Sequence, residues 1–132
     1  YAHHPNEISS AISSIRNIFP GRKLCGIFQP HLYTRTRDFA HEFAKSLGML
    51  DELLLLDIYP ARELPIEGVT SDLIFKDVDI ENKRKITKEE LMPLLEREMN
   101  DGKIDILITF GAGDIDRFIC KITDLMKNVL SR

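Results

Sequence analysis

Short apolar segments alternate with segments of helical periodicity, and this alternation constrains the fold more than any other feature of the chain. The apolar segments are residues 24–28 (LCGIF), 52–58 (ELLLLDI) and 104–110 (IDILITF), each followed by turn-forming residues or a glycine. Continuous apolar runs of this length are typical of strands that are buried on both faces. Because helices separate them, we predict an α/β fold with a mostly parallel sheet that helices cover on both faces.

Apolar residues at helical spacing predict the longer helices. The first helix covers Ile8 to Phe19, the second begins at about Thr36, and the last follows residue 114. In the second helix we expect burial of Phe39, Ala40, Phe43, Ala44 and Leu47, and in the last helix burial of Ile115, Phe118, Ile119, Ile122, Leu125, Met126 and Val129.

The segment between the second and third predicted strands is less regular. Residues 59–68 contain two prolines and a glycine and predict a loop, whereas residues 77–85 are polar and have no clear periodicity. Thr87 and Glu90 form a capping-box pattern ahead of another helix. Pro93 lies inside that helix, so we expect a kink there or a later start.

Composition and charge narrow the class of protein. The chain has 132 residues, 43% of them hydrophobic, and a net charge of -3. This length fits one domain, and the charge argues against a general nucleic-acid binder or a membrane-surface binder. Cys25 and Cys120 lie in apolar surroundings and form no Cys-x-x-Cys pair, so we expect two buried thiols in a reducing compartment. The sequence therefore predicts a single cytoplasmic domain over residues 1–132.

Cationic and aromatic side chains follow the first predicted strand, in residues 29–37 (QPHLYTRTR). In parallel sheets the ligand site lies at the carboxyl ends of the strands. His31, Arg35 and Arg37 would there form an anion site together with the amide groups at the start of the next helix. The alternative is that the arginines are solvated and pair with Asp38 or Glu42.

Residues 57–62 and 111–114 should lie at the same edge of the sheet. Asp57 could orient an arginine or His31, or it could cap a turn. Residues 111–114 (GAGD) allow close approach of a ligand to the backbone, but a lone Gly-x-Gly is also what a tight turn between strand and helix requires. The sequence contains no P-loop pattern and no visible Ser-His-Asp arrangement.

Four segments, in this order, resemble the C-terminal domain of the UDP-N-acetylmuramate–L-alanine ligases of the Mur ligase family: residues 1–7 (YAHHPNE), 28–37 (FQPHLYTRTR), 56–63 (LDIYPARE) and 111–115 (GAGDI). The resemblance implies a Rossmann-like, three-layer domain of a three-domain bacterial enzyme. That enzyme also has an N-terminal UDP-binding domain and a central ATPase domain, and it uses ATP and Mg²⁺ to join L-alanine to UDP-N-acetylmuramate through an acyl phosphate. We expect no catalytic residues, bound cofactor or metal in the isolated fragment.

The resemblance also implies site residues. By the resemblance, Tyr1, His3, His31 and Arg35 face the substrate. We add Arg37 as a further substrate-binding candidate, and we expect that a nucleotide or a phosphate would be faced by His4, Asp57, Gly111, Gly113 and Asp114. Leu32 stands where the commoner family pattern has an arginine.

Two other classes of function remain open from the residues themselves. The first is a free-standing flavodoxin-like module that binds a small phosphorylated ligand through Arg35, Arg37 and the turn at 111–113. The second is a metal hydrolase that uses His3, His4, His31 and Asp57, although adjacent histidines seldom direct both rings at one ion.

Overall fold

The computed structural model describes residues 4–111 and 115–130 of the chain, with side chains in the last helix from Phe118 onward. In this part of the chain, four strands form one sheet in the order β3-β2-β1-β4, and every neighbouring pair is parallel. The strands are β1 (Leu24–Gln29), β2 (Glu52–Leu55), β3 (Asn82–Lys85) and β4 (Ile106–Gly111). The predicted α/β class with a parallel sheet is confirmed.

Helices cover both faces of the sheet: α1 (Pro5–Ile18), α2 (Tyr33–Leu47) and α3 (Asp72–Phe75) on one face, and α4 (Lys88–Asn100) and α5 (Ile115–Leu130) on the other. Phe28 and Phe43 pack in the core of the first face, with ring centroids 5.2 Å apart. Leu54 and Leu95 lie in the core of the second face. None of the described helices is long and apolar enough to cross a lipid bilayer.

Strand β3 lies in the polar segment 77–85, whose structure we could not predict. Its residues, NKRK, are polar because β3 forms an edge of the sheet and is largely exposed. Lys83 donates to the carbonyl oxygen of Phe75 at 2.7 Å, and Lys85 pairs with Asp72 at 2.7 Å. Charged side chains on an edge strand also discourage pairing with another chain.

The capping box at the start of α4 is confirmed. The Glu90 amide donates to Thr87 Oγ1, and the Thr87 amide donates to the Glu90 carboxylate, both at 3.2 Å. The helix begins directly after Thr87 and continues through Pro93, so a later start was the wrong alternative. Proline removes one backbone hydrogen bond, and here the residue one turn before it, Glu89, is exposed to solvent.

Several predicted details are wrong. Helix α2 begins three residues earlier than expected. Phe39 is 36% exposed and lies at a break in this helix, where its backbone departs from helical geometry (φ -120°, ψ 17°). On α5, Ile119 is 42% exposed, and Cys120 is exposed rather than buried. Helix α5 packs through a narrow stripe centred on Ile122, so neighbouring positions face solvent. The predicted burial of Ile115 lies outside the described side chains.

Candidate functional site

The strand order reverses direction between β1 and β4, and this position is the topological switch point of the sheet. The chain leaves β1 through α2 toward β2, whereas α4 carries it back across the sheet to β4. Gln29, the last residue of β1, pairs with Gly111, the last residue of β4. In open parallel sheets ligands bind in the crevice outside the carboxyl ends of the strands at such a point. The candidate site is therefore the edge of the sheet formed by residues 29–37, 57–63 and 111, which we call the rim.

The rim brings His31 and Arg35 into contact. Nη1 of Arg35 lies 3.4 Å from Nδ1 of His31, which is four residues earlier in the chain and precedes α2. Because a guanidinium can only donate, Nδ1 is the acceptor, and the proton of the neutral imidazole is then on Nε2. The His31 ring also stacks on Tyr59, with centroids 5.9 Å apart and planes inclined by 15°. This arrangement holds a cation and an imidazole side by side at the end of β1.

Backbone pairing fixes the loops that carry these side chains. The Tyr59 amide donates to the carbonyl oxygen of Pro30 at 2.8 Å, and the Leu32 amide donates to that of Tyr59 at 2.9 Å. Leu32 has a φ of +73° and Ala61 a φ of +54°, in the region that favours glycine. Such backbone strain is concentrated at functional sites in many proteins.

Glu63 occupies the start of α2, where we expected free amide groups to attract a ligand anion. Its carboxylate accepts from the Thr34 amide at 3.1 Å and from the Thr34 hydroxyl at 2.5 Å. The hydrogen bond from the Thr34 hydroxyl, more than any other cause, holds the pKa of Glu63 below its ordinary value. The expected contribution of this helix start to an external anion site is therefore reduced, because the protein's own carboxylate binds there.

The two arginines have different environments. Nε of Arg37 donates to the carboxylate of Asp38 at 2.9 Å, and this hydrogen bond raises the pKa of the Arg37 guanidinium. Both side chains are about half exposed. The solvated pairing that we considered for both arginines thus describes Arg37, whereas Arg35 contacts His31.

The start of α1 lies close to the middle of α2. His4 is the residue before α1, and its ring packs against Phe39 with centroids 5.2 Å apart. Phe39 is four residues, about one helical turn, after Arg35. The contact with Phe39 therefore places His4 beside α2, about one turn from the rim residue Arg35. Tyr1 and His3 lie outside the described residues, and their proposed roles stay predictions.

Gly111 is required by the packing of two strands. Its φ is +121°, and a Cβ atom there would lie 2.4 Å from the carbonyl oxygen of Gln29. The glycine thus permits β4 to approach β1 closely, and a role toward a ligand remains a prediction. Gly113 and Asp114, the other candidates in this turn, lie outside the described residues.

Asp57 is exposed between buried Leu56 and Ile58 and borders two cavities of about 360 and 210 Å³. Leu55 pairs with Phe28, but Tyr59 pairs with His31, so the segment after β2 holds one residue more than the segment after β1. Such a bulge changes the direction of side chains and is common beside active sites.

The described residues contain no group of three His, Cys, Asp or Glu side chains that could hold a metal ion. Sequence reasoning assigned no role to Tyr59 or Glu63. Both lie in residues 56–63, one of the segments on which the family resemblance depended. Their place in this segment was the feature of the sequence that could have identified them as site residues.

Comparison with known proteins identifies relatives of one family of ligases. Residues 1–113 match the family described as Mur ligase, glutamate ligase domain. The UDP-N-acetylmuramate–L-alanine ligase of Cytophaga hutchinsonii is 55% identical, in an alignment that covers 90% of this chain and 25% of the relative. The ligase of the same name from Parabacteroides distasonis is 52% identical, in an alignment that covers 96% of this chain and 26% of the relative. The chain thus spans about a quarter of the length of these relatives.

Solved structures show the same fold. The UDP-N-acetylmuramate-alanine ligase of Thermotoga maritima superposes with a TM-score of 0.65 at 22% identity, covering 97% of this chain and 26% of that one. A murein peptide ligase of Psychrobacter arcticus gives a TM-score of 0.71 at 14% identity, again covering 97% and 26%. At identities of 22% and 14%, these superpositions show a shared fold and nothing further.

Proposed function

The chain belongs to the Mur ligase family, and from this membership we propose that it is the C-terminal domain of an enzyme that joins L-alanine to UDP-N-acetylmuramate. The observation that carries the proposal is the 55% identity, over 90% of the chain, to a ligase of that name. The rest of the enzyme would supply the UDP-binding and ATPase domains. It would act in the bacterial cytoplasm.

The rim is suited to the charges of such a reaction. ATP and Mg²⁺, held elsewhere in the whole enzyme, supply the activation of the muramate carboxylate as an acyl phosphate. Arg35 provides a fixed positive charge for the carboxylate of alanine or for the departing phosphate. His31, whose Nδ1 is engaged by Arg35, can donate from Nε2 to an oxygen atom. Stacking on Tyr59 holds the imidazole in this orientation.

A domain exchange tests the proposal. This chain would replace the matching domain of the Cytophaga hutchinsonii ligase, and phosphate release that depends on both L-alanine and UDP-N-acetylmuramate would be measured. We expect the chimera to be active. We also expect Arg35→Gln to lower kcat/KM for L-alanine by about 10- to 100-fold, because a charge-assisted hydrogen bond to substrate is lost.

Arg97→Gln is the matched control, since Arg97 is an exposed arginine in the last turn of α4. We expect it to keep the activity of the unmodified chimera. A folded chimera without L-alanine-dependent turnover, or equal effects of the two substitutions, would contradict the proposal. Nothing in the described residues or in the comparisons favours the flavodoxin-like alternative.

A further inference from the structure

The end of α4 is attached to the sheet mainly through one carboxyl group. Within residues 96–103, Glu98 is buried and Met99 is half-buried, whereas all the others are exposed. The turn that follows the helix closes on the same residue, because the Lys103 amide donates to the carbonyl oxygen of Glu98 at 2.9 Å. Segments with little buried apolar surface open most readily. The attachment of residues 98–103 therefore depends on the state of the Glu98 side chain.

The carboxyl group of Glu98 lies against that of Glu52, and we call these two residues the carboxyl pair. Both are buried, and a hydrogen bond joins their side chains. Because two carboxylates can only accept, this hydrogen bond requires a proton on one of them. Glu52 is better stabilised as the anion, since Lys23 forms an ion pair with it and the Cys25 thiol donates to it. The proton therefore lies on Glu98.

The surroundings of Glu98 oppose its ionisation while the helix end is closed. Its Oε2 atom is buried without a hydrogen-bond partner among the described residues. The titratable and charged groups around the carboxyl pair come from all the neighbouring elements: Lys23 before β1, Cys25 on β1, Arg84 on β3 and Lys103 after α4. Arg84 and Lys103 are exposed and favour the charged form only weakly, so burial and Glu52 raise the pKa of Glu98.

We propose that the carboxyl pair is a proton-dependent switch, which holds the end of α4 against β2 while Glu98 donates its proton to Glu52 and releases it when that proton is lost to solvent. The Glu98 carboxylate then reaches water through opening of residues 98–103. The earlier part of the helix stays in place, because Leu91, Leu94 and Leu95 remain buried in the core. The switch is a property of the fold and does not depend on the proposed function.

Amide hydrogen exchange of this chain, measured by nuclear magnetic resonance, tests the switch. An exposed glutamate has a pKa of about 4.3, so opening releases a proton at any pH between this value and the raised pKa of the closed state. We expect the protection factors of the Asp101 and Lys103 amides, corrected for intrinsic exchange, to fall about tenfold between pH 5 and pH 7. The Ile27 amide in β1 reports global unfolding and should stay at least tenfold better protected at both pH values.

Substitutions separate the carboxyl pair from other causes of pH dependence. In Glu98→Gln the protection of the helix end should be the same at both pH values, because the amide cannot ionise. Glu52→Gln should make the fold-change smaller, since the charge that opposes ionisation of Glu98 is removed. Glu96→Gln, the matched control at an exposed position of the same helix, should keep the fold-change of the wild type.

Three results would overturn the switch. The first is a helix end that is equally protected at pH 5 and pH 7 in the wild type, and the second is the same fold-change in the wild type and in Glu98→Gln. The third is equal protection of Ile27 and of the helix end, because the opening would then be global unfolding. An unchanged fold-change in Glu52→Gln would contradict the shared proton.

Discussion

Two glutamates are buried together at the end of the sheet opposite the rim, and Glu98→Gln should stabilise the protein above neutral pH. Glu52, the first residue of β2, is 7% exposed, and Glu98 on α4 is 5% exposed. Lys23 Nζ lies 3.5 Å from one oxygen of Glu52, and the Cys25 thiol lies 3.7 Å from the other. Oε2 of Glu98 is buried without a hydrogen-bond partner among the described residues.

The sign of the effect follows from the pKa of Glu98. Burial raises this pKa above its ordinary value, and the hydrogen bond and the charge of Glu52 raise it further, against a smaller opposite effect of Arg84 and Lys103. A carboxyl group whose pKa is higher in the folded state contributes stability below its unfolded pKa. This contribution of Glu98 to stability is lost as the pH rises through the pKa of the folded state. The free energy of unfolding of the wild type should therefore fall from mildly acidic to basic pH.

Glutamine keeps the size of Glu98 and cannot ionise. Since burial beside Glu52 penalises a charged carboxylate more than a neutral amide, we expect Glu98→Gln to raise the free energy of unfolding by about 1–2 kcal/mol at pH 8. At pH 5 the gain should be smaller, because the wild-type carboxyl group is then more often protonated. Urea unfolding followed by circular dichroism at the two pH values measures both differences.

Glu96→Gln is the matched control, because Glu96 is an exposed glutamate on the same helix. It should change the free energy of unfolding by less than about 0.5 kcal/mol at either pH. The reasoning is refuted if Glu98→Gln destabilises the protein at pH 8, or if the difference between pH 5 and pH 8 is the same in the wild type and in Glu98→Gln.

Two further predictions concern the glycine at the rim and the cysteines. Gly111→Ala should destabilise the protein by about 2–4 kcal/mol, because a methyl group would collide with the Gln29 carbonyl oxygen at a positive φ; an unchanged urea midpoint would contradict this. Cys120 should react rapidly with a thiol reagent in the native protein. Cys25 should react only on unfolding, because burial raises its pKa, and fast modification of both thiols would be the contrary result.

The parallel sheet could be predicted because its central strands are apolar on both faces. Residues 52–58 contain four consecutive leucines, and only a strand between two helical layers buries such a run. Strand β3 could not be predicted in this way, since an edge strand needs no apolar pattern. The periodicity of apolar residues also predicted too wide a buried face for α5, since Ile119 and Cys120 are exposed. Periodicity identifies the apolar side of a helix, whereas the width of the buried contact depends on the surface that the helix covers.

The rim was predictable in position but not in electrostatics. Strand ends and the family resemblance both directed attention to His31 and Arg35, which lie in contact. The partner of Thr34 is Glu63, which is 29 residues away along the chain, and no local pattern indicates that pairing. The consequence is chemical, because a carboxylate at the start of α2 offsets the field that its amide groups would otherwise offer to a ligand.

The attraction of the rim for an anion must therefore come mainly from side chains, which makes Arg35 harder to replace. If the helix start were free, its amide groups would bind part of the negative charge after Arg35→Gln, and the loss would be small. With Glu63 already bound to Thr34, that compensation is weakened. Glu63→Gln in the Arg35→Gln background separates the two cases, because partial recovery of activity would show that the carboxylate had opposed anion binding.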